Sequence, residues 1–357
     1  MTVMVDWLKV ECPDPFGQVI DAGHVMSVRQ DGSLEWATAK RLRVQGSHSS
    51  SYSVRNVMGR DIDDEELPVS RHRYGLQLDG NPSKFLQGHN LFGPADPLDL
   101  LERTVAKVGD ALGIKVGWAD YGLADIQRID LTSHWLLDRE GDVLPFLQAM
   151  QERVFVPYRG RGTFHANKPE TLYYGYVDKG KRQPDWKLKI YWKGEEIRKN
   201  DPMLWSRLAG VPGAHEELLR TVRVELTLLT PELKRLKLRK VGAWSPEMVA
   251  YVWALYVDRL DFGALEMNLD LIDTKMAGLK PRHQHAIAAW KAGNDLREGM
   301  SHRSFYRLRK DILAACGFDI KQPPPKSNVV PLMRIVTAKP ALHPIWADDL
   351  TSALMAA

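Results

Sequence analysis

The sequence predicts an α+β fold, in which an antiparallel sheet packed on helices is followed by a mostly helical part with a helix-turn-helix-like segment. Segments 126–132, 186–192 and 221–228 alternate apolar and polar side chains, as strands do when they bury one face of a sheet. After about residue 231 the apolar residues recur at helical spacing instead. The chain has 357 residues and is 44% hydrophobic, which is enough for two cores. We therefore divide it into an N-terminal part, 1–230, and a helical part, 231–357.

Composition excludes several classes of protein. No run of about 18 apolar residues occurs, so no membrane-spanning helix is predicted, and the first residues lack the pattern of a signal peptide. The two cysteines, Cys12 and Cys316, cannot form a metal knuckle and are predicted to be reduced, buried thiols of a cytoplasmic protein. The net charge of +4 is only mildly basic, so composition alone does not establish nucleic-acid binding.

The beginning of the chain predicts a meander of short strands. These strands lie at 4–10, around 34–36 and at 41–43. Asp31-Gly32 is typical of a hairpin turn between two of them.

The segment 80–93 has glycine and proline at its margins and apolar pairs inside, which predicts a buried strand that enters a tight connection. A proline then opens an amphipathic helix at about 97–113. Gln87, His89 and Asn90 lie where the strand would pass into the helix, a common location for functional side chains. Two interpretations stay open: a functional group, or a polar corner that fixes the turn.

The same periodicities place the remaining elements. Helices are predicted at 139–155, 201–209, 214–220, 246–260, 283–290 and from Ser301 to about 315, with a strand at 171–176, a hairpin turn at 179–182 and a short terminal strand at 328–332. Ser301 suits the N-cap position of its helix, because its hydroxyl can accept a bond from a free backbone N–H.

The segment 186–192 contains the residues with the clearest chemical meaning. Its alternation places Lys187, Lys189, Tyr191 and Lys193 on one face. The cations favour a phenolate and attract phosphate, which suits a tyrosine that attacks a DNA phosphodiester while cations neutralise the transition state. The alternative is an exposed tyrosine on a basic, solvated face.

Three strands share this polar signature. Their polar faces carry Arg128 with Asp130, Lys189 with Tyr191, and Arg223 with Glu225. An antiparallel sheet that packs on helices by one face would expose these groups together on the other. Two carboxylates near a tyrosine suit Mg²⁺ or Mn²⁺, which can polarise a scissile phosphate. Surface ion pairs remain the alternative.

A second basic region lies in the last predicted long helix. Arg303, Arg307 and Arg309 interleave there with Phe305 and Tyr306. A helix, a glycine turn and a basic helix are typical of the recognition half of a helix-turn-helix, so these arginines are candidates for DNA binding. We also predict phosphate contacts by Lys187, Lys189 and Arg223 of the sheet.

Several motifs together resemble a known family. They are Lys-Phe-Leu-Gln-Gly-His-Asn-Leu-Phe-Gly at 84–93, Arg128-Ile129-Asp130, Tyr191-x-Lys193-x-x-Glu196, Val222-Arg223-Val224-Glu225, and Asn-Val-Val-Pro-Leu at 328–332. In this order and at this spacing, over roughly 4–335, they resemble the gene II replication initiators of filamentous bacteriophages and their plasmid relatives.

The resemblance implies a rolling-circle initiator that nicks one strand of double-stranded replicative-form DNA at the origin. Its nicking tyrosine falls on Tyr191, which would form a 5′-phosphotyrosine and free a 3′-OH, and would later rejoin the displaced strand. Asp130 and Glu225 match the acidic positions of the motifs and are the expected ligands of Mg²⁺ or Mn²⁺. The full set of expected catalytic residues is Tyr191, Lys193 and His89, with Glu196 as a further metal ligand.

The resemblance also implies partners. It predicts origin DNA, both double- and single-stranded, together with host helicase and polymerase machinery in the host bacterial cytoplasm, and no membrane. The His-hydrophobic-His pair of the better-known nicking superfamily is missing, since His283-Gln284-His285 is polar, so we expect a site built mainly from carboxylates. The alternatives are a non-catalytic DNA-binding replication regulator and an RNA-binding protein that stacks bases on Trp186 and Trp192.

Overall fold

A computed structural model gives the fold of the chain. It describes residues 2–13, 16, 20, 22–47, 50–58, 74–117, 120–165, 168–175, 177, 182–257, 260, 279–292, 294–316, 320–321, 339–340 and 343–355. The predicted terminal strand at 328–332 lies outside these residues, as does most of the predicted turn at 179–182.

A ten-stranded antiparallel sheet forms the centre of the molecule. Its strands are β1 (Met4–Pro13), β4 (Leu42–Gln45), β5 (Ser51–Met58), β6 (Tyr74–Gly80), β7 (Asp125–Leu136), β10 (Thr163–His165), β11 (Lys168–Tyr174), β12 (Trp186–Trp192), β13 (Thr221–Leu229) and β14 (Lys339–Pro340). They are ordered β10-β11-β12-β13-β7-β1-β6-β5-β4, and β14 pairs with the far end of β7. Two small ribbons stand apart, β2 (His24–Val28) with β3 (Leu34–Ala39) and β8 (Phe155–Val156) with β9 (Gly160–Arg161).

Helices connect and cover these strands. They are α1 (Pro82–Gln87), α2 (Pro97–Leu112), α3 (Val143–Arg153), α4 (Lys193–Asn200), α5 (Pro202–Leu208), α6 (Ala214–Leu219), α7 (Thr230–Arg235), α8 (Pro246–Val257), α9 (Pro281–Lys291), α10 (His302–Cys316) and α11 (Ala347–Met355). The predicted α+β class is confirmed, and the predicted helices are found within a few residues of their expected bounds. No described helix has the length and apolar content to span a membrane.

The expected buried strand within 80–93 is wrong, because Pro82–Gln87 is a helix. Asn81 caps it by accepting a bond from the backbone N–H of Lys84, and Pro82 occupies its first turn, where no N–H is needed. Gly88 ends it in the left-handed region at φ 88°, which suits glycine. The apolar pairs of this segment therefore lie in a short helix and in the turn that follows it, and not in a strand.

One core covers the apolar face of the sheet and reaches beyond residue 230. Leu233, Trp253 and Tyr256 are buried in it together with the strands' apolar side chains, such as Leu188 and Leu226. The hydrophobic core therefore continues past the predicted division and includes α7 and α8. The division of the chain into an N-terminal part, 1–230, and a helical part, 231–357, stays a prediction.

Two smaller clusters complete the packing. The second lies between α9 and α10, where Ile287, Trp290, Phe305 and Ile312 are buried. The third joins α4, α5 and α6 to α11, whose neighbour Trp346 and own Leu350 are both buried. The last helix is thus tied to the elements around the end of β12. Both cysteines are buried free thiols, as predicted.

Candidate functional site

The polar face of the sheet gathers most of the predicted residues. Paired residues on neighbouring antiparallel strands point to the same face. The rows that cross β12, β13 and β7 are Lys187–Thr227–Asp130, Lys189–Glu225–Thr132 and Tyr191–Arg223–His134. The structure therefore places Tyr191, its flanking lysines and the carboxylates of Asp130 and Glu225 on one face, with Glu225 diagonal to Tyr191 and Asp130 one row further along.

Tyr191 lies in this face with only 4% of its surface exposed. The Nζ atom of Lys189 is 4.0 Å from its ring centroid, and that of Lys193 is 6.0 Å away. Burial raises the pKa of Tyr191 well above its usual value, and the nearby carboxylates of Glu225 and Glu196 raise it further against the effect of Arg223. In the free protein, burial and the carboxylates thus outweigh the cation that favours a phenolate.

Lys193 is a buried cation at the start of α4. Its Nζ donates to Oε2 of Glu196 at 2.7 Å and to Oδ1 of Asn90 at 3.3 Å. Burial lowers the pKa of Lys193, with Glu196 acting in the opposite direction. Burial alone would raise the pKa of Glu196, but the Lys193 ammonium outweighs it and lowers that pKa to about 2. The two groups therefore form a strong ion pair beside Tyr191.

Asp130 and Glu225 are the other two carboxylates. Asp130 is 1% exposed and accepts two hydrogen bonds from Arg128, one of them from Nε at 2.8 Å. Burial raises the pKa of Asp130 to about 6, with the charge of Glu225 adding to the effect while Arg128 opposes it. Glu225 faces Lys189, with 3.5 Å between Oε2 and Nζ. Each carboxylate is therefore matched with a cation.

The predicted metal ligands fit a divalent cation in part. Asp130 and Glu225 occupy diagonal positions on adjacent strands and supply the oxygen donors that Mg²⁺ prefers. Mg²⁺ needs only one or two carboxylates when water and substrate phosphate complete its shell. A cation there would have to compete with Arg128 and Lys189, and no three His, Cys, Asp or Glu side chains converge within the described ranges. Glu196 is held by Lys193 instead.

Arg223 has a different environment from the one that its place on a polar face predicts. It is fully buried, with an ion pair of 2.6 Å to Oδ1 of Asp6. Its Nε donates to Oγ1 of Thr132 at 2.8 Å and its Nη1 donates to the carbonyl of Asn90 at 2.7 Å. A phosphate contact needs an accessible guanidinium, which this arrangement does not offer.

Asp6 is the residue of this group that sequence reasoning missed. It lies in a bulge of β1, where the pairing with β7 shifts between Val5 and Trp7. Besides Arg223, its Oδ1 accepts bonds from Nδ2 of Asn81 at 2.7 Å and of Asn90 at 2.9 Å. The sequence signal was a carboxylate between Val5 and Trp7, in the apolar first half of the strand, which a buried sheet tolerates only when the charge is paired.

The 87–93 turn contributes differently from its individual predictions. Nε2 of Gln87 donates to the carbonyl of Phe92 at 2.6 Å, which closes the turn. His89 is 1% exposed, with its ring 4.5 Å from that of Phe92 and its Nδ1 3.4 Å from the backbone nitrogen of Leu91. These contacts support the polar-corner interpretation for Gln87 and His89, while Asn90 reaches into the site.

The basic helix α10 is the second candidate region. Ser301 caps it, since its Oγ accepts a bond from the backbone N–H of Ser304 at 3.2 Å, as predicted. Arg303 and Arg307 are exposed one turn apart, and Arg309 lies 5.7 Å from the ring of Tyr306. The connection at 292–301 is longer than the three- to four-residue turn of the usual motif. The segment is therefore a packed helix pair that presents a basic helix.

Comparisons with known proteins identify the family of the chain. The N-terminal model of the phage replication-associated protein family of the gene II type matches residues 4–247, and the C-terminal model of the same family matches residues 280–350. The chain is also 32% identical over 364 positions to the replication-associated protein of this type from Enterobacteria phage I2-2, covering 97% of each chain. The first match includes the sheet with its polar face, and the second includes α9 and α10. The chain therefore belongs to this family of replication-associated proteins and is a phage replication initiator of the gene II type.

Proposed function

We propose that this initiator nicks one strand of the double-stranded origin through a covalent 5′-phosphotyrosine on Tyr191, and that the same chemistry in reverse later rejoins the displaced strand. The observation that carries the proposal is the position of Tyr191 beside Lys189, at 4.0 Å, on a sheet face that also bears Glu225. Family membership supports a role in replication, and this geometry supplies a suitable nucleophile.

The proposed step exchanges one phosphoester for another. The oxygen of Tyr191 forms a bond to phosphorus, the bond to the 3′-oxygen breaks, and the phenolic proton is released as the leaving oxygen gains one. Because burial holds the proton on the phenol, the incoming phosphate has to reach a site whose cations stabilise both the phenolate and the extra phosphate charge. Lys189 and Lys193, whose Nζ atoms lie 4.0 Å and 6.0 Å from the Tyr191 ring, would take this role.

A divalent cation belongs to the same proposal. Asp130 and Glu225 would hold Mg²⁺ or Mn²⁺ once bound DNA draws Arg128 and Lys189 toward its phosphates. The bound ion would polarise the scissile phosphate as a Lewis acid. Holding this cation is the role of the two carboxylates in the proposal, and positioning the phosphate is the role of the two basic side chains.

The C-terminal helix pair completes the assignment. Arg303 and Arg307 on α10 would contact origin duplex, and Arg309 would support them through Tyr306. The free 3′-OH would be extended by host polymerase while a host helicase opens the duplex, which places the work in the host cytoplasm. A non-catalytic replication regulator is the competing assignment, because α10 would serve it equally well.

The test is incubation of Tyr191→Phe with supercoiled origin plasmid and Mg²⁺. We expect no nicked circles and no covalently attached protein, with origin binding kept, since phenylalanine retains the ring and removes only the nucleophile. Tyr173→Phe is the matched control, because Tyr173 pairs with Lys189 on the same face and is partly exposed. Nicking lost in Tyr173→Phe and kept in Tyr191→Phe would transfer the assignment to Tyr173. A wild-type protein that binds but forms no adduct would favour the regulator.

A further inference from the structure

The ribbon of β2 and β3, His24–Ala39, stands out from the sheet with unusual exposure. Its large apolar side chains are about half exposed or more: Val25 is 45% exposed, Met26 61% and Trp36 50%. Both faces of β2 are open to solvent, since nearly every described side chain along it is exposed. Large apolar groups exposed together on one element are a feature of binding surfaces.

The acidic and the basic side chains of the ribbon differ in their contacts. Its two acids are held locally, because Asp31 accepts bonds from the backbone and hydroxyl of Ser33, and Glu35 accepts one from Ser27 at 2.7 Å. Arg29 lies at the tip and is exposed. Lys40 and Arg43, at the base, are exposed as well, and within the described ranges no acidic side chain pairs with Arg29, Lys40 or Arg43. Bonds from serine leave both carboxylates charged, but over residues 24–43 the basic side chains Arg29, Lys40, Arg41 and Arg43 outnumber them, so the ribbon and its base together carry a net positive charge.

The base of the ribbon is continuous with the polar face of the sheet. Strand pairing puts Arg43, Ser53, Asp79, Lys9 and Arg128 in one row across β4, β5, β6, β1 and β7. Arg43 and Ser53 can meet phosphate directly, whereas Lys9 also pairs with Asp79, at 3.6 Å, and Arg128 pairs with Asp130. The row ends one strand from β13, next to the row that holds Lys187. A basic track thus joins the candidate site to the ribbon.

We propose that the β2–β3 ribbon is an arm that enters a groove of the origin duplex beside the site of strand cleavage. A two-stranded ribbon has the width that the major groove of B-DNA admits. Arg29 would contact phosphate or base edges at the tip, while Trp36 and Met26 would pack on sugars, methyl groups or an opened base step. DNA is the occupant that this surface favours, because the net charge of the ribbon and its base is positive and the row of Arg43, Lys9 and Arg128 continues it along the sheet toward Lys187.

The strand order also gives the distance between Tyr191 on β12 and the base of the ribbon at β4. From β12 to β4 there are six strand spacings of about 4.8 Å, or roughly 29 Å. At about 3.4 Å per base pair, this corresponds to roughly eight or nine base pairs. This distance rests on the proposed nicking by Tyr191, whereas the contact between ribbon and duplex does not.

The first experiment measures duplex affinity. The double variant Arg29→Ala with Trp36→Ala, in the full chain, should bind origin duplex at least about tenfold more weakly, with a log–log salt slope smaller by about 0.9. Its unfolding midpoint should stay at the wild-type value, because both side chains are exposed. The matched control is Arg103→Ala with Tyr251→Ala, an exposed arginine and an exposed aromatic on the helices of the apolar face, which should bind as wild type does.

The second experiment locates the arm. The cysteines Cys12 and Cys316 are buried, so a single Gln30→Cys at the exposed tip can carry an iron chelate that cleaves nearby DNA backbone. Cleavage clustered at one distance on one side of the nick is the expected result. Wild-type duplex affinity of the double variant, or no localised cleavage, would overturn the proposal. A change in oligomeric state with unchanged DNA affinity would overturn it in favour of a second copy of the chain.

The design separates this proposal from the nicking proposal. If the wild type fails to form the tyrosyl adduct but the double variant still loses duplex affinity, the arm stands and the nicking assignment fails. If the double variant cleaves single-stranded origin oligonucleotide at the wild-type rate and also binds duplex normally, the nicking assignment stands and the arm fails.

Discussion

Replacing Arg223 tests whether it holds the site together or binds DNA. The Arg223→Met variant keeps much of the side-chain volume but removes three contacts, to Asp6, Thr132 and the carbonyl of Asn90. The most costly loss is the ion pair with the buried carboxylate of Asp6. Breaking a buried ion pair by removing one member costs about 3–5 kcal/mol.

The lower end of that range applies here. Asp6 keeps two amide donors, at 2.7 Å and 2.9 Å, so its charge is not left without hydrogen bonds. We therefore expect the free energy of unfolding to fall by about 3 kcal/mol. In a domain of this size that lowers the melting temperature by about 6–12 °C, at about 2–4 °C for each kcal/mol.

The measurement is urea unfolding, combined with a salt titration of origin binding at a temperature where the variant is folded. The companion variant adds Asp6→Asn, which removes the unpaired charge, so the double variant should recover about 1 kcal/mol or more relative to the sum of the single changes. Wild-type stability together with a salt slope smaller by about 0.9 would refute this reasoning. Arg223 would then be an accessible phosphate contact.

Three further predictions follow from the other contacts. Asp130→Asn and Glu225→Gln should each reduce nicking by on the order of 10²-fold and shift the Mg²⁺ requirement, and unchanged metal dependence in both would make them structural ion-pair partners. Because the pKa of Asp130 is raised to about 6, this carboxyl contributes stability that is present below about pH 4 and is lost as the pH rises through 6. The free energy of unfolding of the wild type should therefore fall between pH 4 and 7, and this fall should be absent in Asp130→Asn. By the same titration, apparent Mg²⁺ affinity should fall as the pH drops through 6. Arg303→Ala with Arg307→Ala should flatten the salt slope of origin binding by about 2 and spare cleavage of single-stranded oligonucleotide, and unchanged duplex affinity would show that α10 is a packing surface.

The sheet was predictable because each strand shows its own alternation of apolar and polar side chains. Alternation along 186–192 and 221–228 assigns each side chain to a face, and pairing then aligns Lys189 with Glu225 and Tyr191 with Arg223. The helix Pro82–Gln87 was not predicted, because six residues are too few to display helical periodicity. The glycines and the proline at its margins instead suggest a strand that enters a tight connection.

The electrostatics of the site were less predictable than its composition. The sequence shows three lysines near Tyr191, but it does not show that burial and nearby carboxylates raise the pKa of Tyr191 against the opposing effect of Arg223. Asp6 and Asn90 were not recognised together because their contact joins residues 84 positions apart in the chain. A buried charge has to be paired, yet the sequence alone does not identify the partner.

The position of β1 has a consequence for how the protein is made. This apolar strand lies between β6 and β7, and β7 begins about 110 residues after β1 ends. At 5–20 residues per second, one edge of β1 therefore stays unpaired for about 6–22 s of synthesis, even after β6 has docked on the other. An open edge of this kind can pair with another nascent chain, so slower translation should increase aggregation in the cell. Refolding from denaturant, where every strand is available at once, should not show this sensitivity.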